Sequence, residues 1–202
     1  MADFKIVTYR GIRNLMAAKL LTDTAEAIEY DTPRQLCGVS KLSKSVSSSS
    51  STKFYDNSPA VVIRGAGADT VAIDGSAIDE GTIAWMMGET YDEADDVYFE
   101  GAGETVYFAL GYIYKKSDGS ERFVWRMKGT FAYPEAEHNT EDDGTDSTGS
   151  TINYTGIEPI HKFAKTGKNT PAVNVGAELY DETKFFGSVQ TPDTYTTAKK
   201  TA

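Results

Sequence analysis

Cysteine, histidine and long apolar runs are scarce in this chain, and each scarcity closes a class of function. The single cysteine, Cys37, rules out an intramolecular disulfide, and two histidines, His138 and His161, cannot build a Cys/His cluster with zinc-ligand spacing. Within Gln35-Leu36-Cys37-Gly38-Val39 the alternation reads Cys37 as a small, half-buried strand residue rather than a nucleophile, since no neighbouring base or dipole would hold its thiolate. The longest apolar runs resemble Ala60-Val61-Val62-Ile63, far below the roughly 20 residues a membrane-spanning helix needs. The first residues, Met-Ala-Asp-Phe-Lys-Ile, lack an apolar h-region and cleavage site, so the expectation is a chain made and kept in the cytoplasm unless another route exports it.

Catalytic signatures are missing too. There is no G-x-S-x-G, phosphate-binding loop, dinucleotide fingerprint or H-E-x-x-H, and nothing implies a cofactor. Adjacent carboxylates at Asp95-Asp96 and Asp142-Asp143 sit in polar loops without an apolar pocket to separate their pKa values, so solvation explains them better than acid–base chemistry. The stretch Glu141 to Gly149 has calcium-loop composition but lacks alternate-residue ligand spacing and a closing glutamate. The chain reads as a structural protein and not as an enzyme.

What remains is a folding sequence with an uneven charge. With 40% hydrophobic and 25% charged residues among 202, the chain carries enough apolar mass for one domain plus extensions. Residues 1–64 hold nine Lys/Arg against six Asp/Glu, and residues 162–202 hold six against four. The middle, 65–161, holds five against twenty and accounts for more than the whole net charge of −10. Such a middle repels polyanions, which disfavours a basic nucleic-acid clamp.

Short runs of β-branched and aromatic residues separated by Gly, Asp, Asn and Ser clusters predict a mainly β protein. The clearest pair is Val106–Tyr114 and Arg122–Phe131, joined through an Asp118-Gly119 turn as a β-hairpin. Alternation on its second strand puts Phe123, Trp125, Met127 and Phe131 on one face and Arg122, Arg126 and Lys128 on the other. A third strand is expected over Thr151–Ile157, making 104–158 a meander; earlier strands are expected near 35–46, 52–55, 60–64 and 70–74. The serine-rich stretch Ser45–Thr52 reads as a loop. One helix is well signalled over 77–87, with Ser76 as N-cap, Asp79 in the reciprocal position, Gly88 past its end, and Ile78, Ala84 and Trp85 as its buried stripe. Helical spacing of Ile12, Leu15, Met16 and Leu20 raises a second helix over Gly11–Leu21. Core candidates are Ile78, Trp85, Phe108, Phe123, Trp125 and Phe131.

From the hairpin onward the sequence resembles a known family. Phe108-Ala109-Leu110-Gly111-Tyr112, Lys115-Lys116-Ser117-Asp118-Gly119, Arg122-Phe123-Val124-Trp125, Lys128-Gly129, Phe131 and Asp142-Asp143-Gly144-Thr145-Asp146 are similar, in order and spacing, to the major tail protein of long-tailed, non-contractile bacteriophages. Gly11-Ile12-Arg13-Asn14-Leu15, Tyr55-Asp56-Asn57, Thr90-Tyr91-Asp92, Phe185-Phe186 and Thr191-Pro192 extend the resemblance over about residues 5–192. It implies a virion protein with a tail-tube β-sandwich over 1–160 and one flanking helix. Such subunits form hexameric rings that stack into a hollow tube around a tape-measure protein, capped by a tail terminator and tail-tip or baseplate proteins. Double-stranded DNA passes through it transiently, without sequence-specific binding.

The resemblance further implies a long loop, here about 41–52, and a C-terminal arm, here 161–202, that contact neighbouring subunits; it also makes Gly11–Leu21 extended instead of helical. Candidate inter-subunit contacts are Lys41, Lys44, Ser47, Ser48 and Ser49 in that loop, Phe185 and Phe186 in the arm, and the basic face of Arg122, Arg126 and Lys128, which would meet an acidic neighbour or the outside. Asp92, Asp95, Asp96, Glu100, Glu104, Asp142, Asp143 and Asp146 form a candidate acidic lumen or loop surface that would keep DNA mobile. Rival readings are another ring-forming tail protein such as a terminator, a carbohydrate-binding or adhesin β-sandwich with an exposed aromatic platform, and an acidic-pair hydrolase.

Overall fold

A computed structural model describes residues 6–47, 49–55, 58–65, 67–101, 103–136 and 148–200. Strands run over Tyr9–Asp23 (β1), Ile28–Tyr30 (β2), Arg34–Gln35 (β3), Val39–Val46 (β4), Ser49–Tyr55 (β5), Ser58–Gly65 (β6) and Asp69–Gly75 (β7). After helix α1 (Glu80–Met87) come Thr90–Asp92 (β8), Val97–Phe99 (β9), Phe108–Lys116 (β10), Glu121–Phe131 (β11), Glu135–Ala136 (β12), Ser150–Gly156 (β13) and Ala172–Gly176 (β14), then helix α2 (Glu182–Gly187). The fold is mainly β with a flanking helix.

Ten of the described strands form one antiparallel sheet with the path β2-β1-β10-β11-β13-β7-β4, β3 pairing with β1, β12 with β13 and β14 with β11. The predicted hairpin is its centre. Gly119, at a φ of 86°, supplies the left-handed turn residue between β10 and β11. Strand β11 divides its far edge: Arg122–Arg126 pair with β14, and Gly129–Phe131 pair with β13.

The sheet bends round on itself, so that Leu15 and Ala17 of β1, Phe108, Leu110 and Tyr112 of β10, Val124 and Phe131 of β11, Ile152 and Tyr154 of β13, and Val71 and Ile73 of β7 share one buried cluster. Helix α1 adds Met86 to it, and Ile78 reaches it from just before the helix. Trp85 stays half-buried, with its ring edge-on to Phe108 at 4.7 Å. A second cluster lies on the other side of the β10–β11 pair, where Ala109, Ile113, Phe123, Trp125 and Met127 meet Phe163, Val173, Val175, Tyr180, Phe185 and Phe186.

Several expectations are corrected by this geometry. Residues 11–21 are strand, as the family resemblance implied, and their helix-like spacing comes from a bulge: Arg13 and Met16 oppose Ile113 and Gly111, with Asn14 at a φ of 56°. Helix α1 is capped by Asp79, whose Oδ1 accepts from the Thr82 N–H at 2.9 Å, while Ser76 Oγ instead accepts from the Gly38 N–H. Phe131 does not share the face of Phe123, Trp125 and Met127. An irregularity in register, where Phe108 opposes Gly129 but Leu110 opposes Arg126, reverses the alternation and turns Phe131 into the first cluster. Residues 45–52 are mostly not loop, because β4 ends at Val46 and β5 begins at Ser49. Cys37 is buried but lies outside the strands, and burial pushes its thiol pKa up.

The close pairing of β11 with β13, where Gly129 opposes Gly156, leaves no room at Gly129. A Cβ there would stand against the Tyr154 ring and 2.5 Å from the Thr155 carbonyl oxygen. Gly129→Ala is accordingly expected to cost about 1–3 kcal/mol through overpacking, measured as a lowered urea midpoint with an unchanged m-value.

Candidate functional site

No helix of the described residues is long and apolar enough to cross a membrane, and no group of three metal-ligating side chains occurs among them. The features available for function are strand edges, a charged cleft and an acidic hairpin. Strand β4 ends the main sheet, with one ladder partner, β7, along its described length. Its pattern Val-Ser-Lys-Leu-Ser-Lys-Ser-Val presents Lys41 and Lys44 at the exposed side. Lysines on an edge discourage indiscriminate strand addition. Between β4 and β7 the chain leaves the sheet to make the separate β5–β6 hairpin, whose ladder runs from Ser49 opposite Gly65 to Tyr55 opposite Ser58.

A cleft of about 830 Å³ opens between the first residues of β1, the inner part of β4 and the β10–β11–β14 surface. Tyr9, Tyr112 and Tyr114 line it together with Arg10, Lys41, Lys44 and Arg126, and no carboxylate belongs to its wall. Tyr9 stacks edge-on against Tyr114 at 5.5 Å, and the Tyr114 hydroxyl accepts from Asn174 Nδ2 at 3.2 Å. At its base Arg126, only 4% exposed, forms an ion pair with Asp69, and Lys44 stands 3.6 Å from the same carboxylate. Burial lowers the pKa of Arg126 from its ordinary value; that of Lys44 falls through burial first and then through the nearby guanidinium. Tyr112 is pushed up to about 12 by burial.

The candidate contact residues therefore divide. Lys41, Lys44 and Ser47 are exposed, with Lys41 3.4 Å from Asp74 and the Ser47 hydroxyl donating to the Ala68 carbonyl at 3.0 Å. Ser48 lies outside the described residues, and Ser49 begins β5. Arg122 is half-buried and donates to Asn174 Oδ1 at 2.8 Å. The cation face expected on β11 is corrected at two positions: Arg126 pairs inside the chain with Asp69, and Lys128 Nζ donates to Asp23 Oδ2 at 2.6 Å, each being less than a tenth exposed. The physical reason is that the curl of the sheet brings Asp69, at the start of β7, to Arg126, and the end of β1 brings Asp23 to Lys128. Phe185 and Phe186 are likewise buried in the second cluster, so they hold residues 161–200 on this sheet. Arg13 reinforces the docking by donating to both Glu182 carboxylate oxygens, at 2.5 and 2.9 Å, and to Glu121 at 2.9 Å.

The acidic candidates Asp92, Asp95, Asp96, Glu100 and Glu104 cluster on and after the β8–β9 hairpin, which stands apart from the main sheet beside α1. Asp92 Oδ1 accepts from the Ala94 N–H at 2.9 Å and shapes the turn, in which Asp96 takes a φ of 55°. The Tyr91 hydroxyl donates to Asp96, and this bond is the first cause of a tyrosine pKa raised to about 12. Asp95, Asp96, Glu100 and Glu104 are exposed, as is Phe99 at 57%. Asp142, Asp143 and Asp146 lie outside the described residues. Asp23 and Asp69, the partners of the buried cations, carried no sequence signal, because each comes from a strand far along the chain from β11.

Compared with known proteins, the chain matches no protein-family model and no curated sequence.

Proposed function

We propose that this chain is a major tail tube subunit of a long-tailed, non-contractile phage, forming stacked hexameric rings that make a conduit for the genome. The observation that carries the reading is the β5–β6 hairpin, a two-stranded unit inserted between β4 and β7 outside the main sheet. A separate hairpin in that place is suited to reach a neighbouring subunit, although it overlaps only the end of the 41–52 loop that the family resemblance implies, since residues 41–46 belong to β4. The end strand β4 supports the same reading, since a shared barrel closes such edges. A third support is the charge of residues 65–161, five Lys/Arg against twenty Asp/Glu, which disfavours adhesion of DNA to the subunit. In this reading the tape-measure, terminator and tail-tip proteins are the remaining partners.

Negative-stain electron microscopy of the concentrated full chain tests it. Stacked rings or hollow tubes are expected, with or without a tail-initiating complex. Single rings that never stack would favour a terminator. Monodisperse monomers, even with the initiating complex present, would overturn assembly and direct attention to glycan binding.

A further inference from the structure

We infer that the acidic β8–β9 hairpin of one copy docks into the basic, tyrosine-lined cleft of the next. This rests on the self-assembly reading and names the contact that would drive it. The cleft's wall carries four cations, Arg10, Lys41, Lys44 and Arg126, whereas the carboxylates behind it are two, Asp69 and Asp74. It is left with a positive excess. Arg10 is exposed and has no ion-pair or hydrogen-bond partner among the described residues. At the base of the cleft the Arg126–Asp69 ion pair leaves Arg126 Nε and Asp69 Oδ1 buried without hydrogen-bond partners among the described residues.

The occupant is identified by complementarity. From Glu89 to Glu104 the chain has seven acids and no Lys or Arg. Its hairpin also exposes Val97 and Phe99, apolar side chains that match a cleft walled by tyrosine rings. Strand β9 pairs only with β8 and strand β4 only with β7 in the described ladders, leaving each an edge along which an extended segment can lie. No residue of the hairpin lines the cleft of its own copy, so the contact is between copies. Joining two different patches is a heterologous contact, which propagates into a ring or filament instead of stopping at a dimer. A DNA backbone fits less well, because a small net excess in a narrow cleft releases few counterions.

Charge reversal with mixing tests this. One full-length variant carries Arg10→Glu with Lys44→Glu, the other Glu93→Lys with Asp95→Lys; all four positions are exposed. Self-association is read by sedimentation velocity at about 0.15 M salt, where only close pairs escape screening, and folding is checked by circular dichroism. Each variant alone is expected to associate at least about tenfold more weakly than the parent chain. An equimolar mixture should recover association, since every reversed cleft then meets a reversed hairpin. Parent-like association of either folded variant, or a mixture that stays dissociated, overturns the contact while leaving tubes of the parent chain unaffected. Loss and recovery in a parent that forms oligomers but never tubes would support the contact and overturn the tube reading. A parent that stays monomeric at every concentration overturns both, and a cleft variant that loses DNA binding in fluorescence anisotropy but keeps its self-association assigns the cleft to nucleic acid.

Discussion

Trp125→Ala is expected to remove about 3–5 kcal/mol of folding stability, the loss typical of truncating a fully buried large aromatic. Trp125 has no exposed surface, and its indole ring fills the space beside Gly111, where a Cβ would stand 2.8 Å from its six-membered ring. Its Nε1 donates to the Phe185 carbonyl at 3.0 Å, and its ring lies 5.6 Å from that of Phe186. The substitution thus opens a cavity and orphans a buried carbonyl together. Trp125→Phe retains much of the ring and drops the donor, so about 1–3 kcal/mol is expected from the unsatisfied acceptor. Urea unfolding followed by circular dichroism measures both. Limited proteolysis adds the location: in Trp125→Ala, cleavage within 161–200 should come first, because that segment is seated on this ring. A loss under about 0.5 kcal/mol, the level of an ordinary surface change, would show that the second cluster does not hold the C-terminal segment and would restore it as a free arm.

That segment shows where sequence reading stopped. The hairpin of β10 and β11 was legible because dense runs of β-branched and aromatic residues on either side of a Gly119 turn are local signals. So were β7, β13 and α1, each within a few residues of its expected bounds. Two kinds of information were not local. The bulges at Asn14 and in β11 change which face a residue points to without any mark in the residue pattern, which is why Phe131 was placed on the wrong side and Ile12 to Leu20 mimicked a helix. Residues 161–200 are low in apolar content, and their few aromatics look insufficient for order. They suffice because Phe163, Tyr180, Phe185 and Phe186 are spent on a surface that β10 and β11 already supply. Binary patterning indicated that β11 had one core face, but it has two. The cations on its second face therefore needed carboxylates, which only the fold brings to them. For the candidate site, the exposed acids after α1 were readable as a run of like charge, whereas the cleft joins β1, β4, β10, β11 and β14 and exists in no segment of sequence.

Asp23→Ala is expected to cost about 3–5 kcal/mol, because it leaves a buried ammonium without its counter-ion. The side chains of Asp23 and Lys128 are 6% and 10% exposed and lie 2.6 Å apart. Asp23 also accepts from the backbone N–H groups of Ile160, at 2.9 Å, and His161, at 3.0 Å. It therefore ties the end of β1 to the point where the chain turns towards the C-terminal segment. Lys128→Met should cost less, since the carboxylate keeps its two backbone donors and the Met side chain can stay against Tyr107, over whose ring the ammonium sits at 4.8 Å. A double-mutant cycle then isolates the pair, with a coupling expected at about 1.5 kcal/mol or more. Acidity gives the independent check. Burial alone would raise the Asp23 pKa, but the Ile160 N–H, the Lys128 ammonium and the His161 N–H together hold it below the ordinary value. A depressed carboxyl stabilises the fold fully above its unfolded pKa, about 3.9, and loses that contribution as pH falls through the folded value. The parent chain should accordingly lose stability below about pH 4 more steeply than Asp23→Asn, whose contribution is absent at every pH. Parallel acid limbs for the two proteins, or a coupling near zero, would mean that the segment after β13 is held by the aromatic cluster alone. In that case Trp125, not Asp23, decides whether residues 161–200 travel with the subunit when it meets its neighbour.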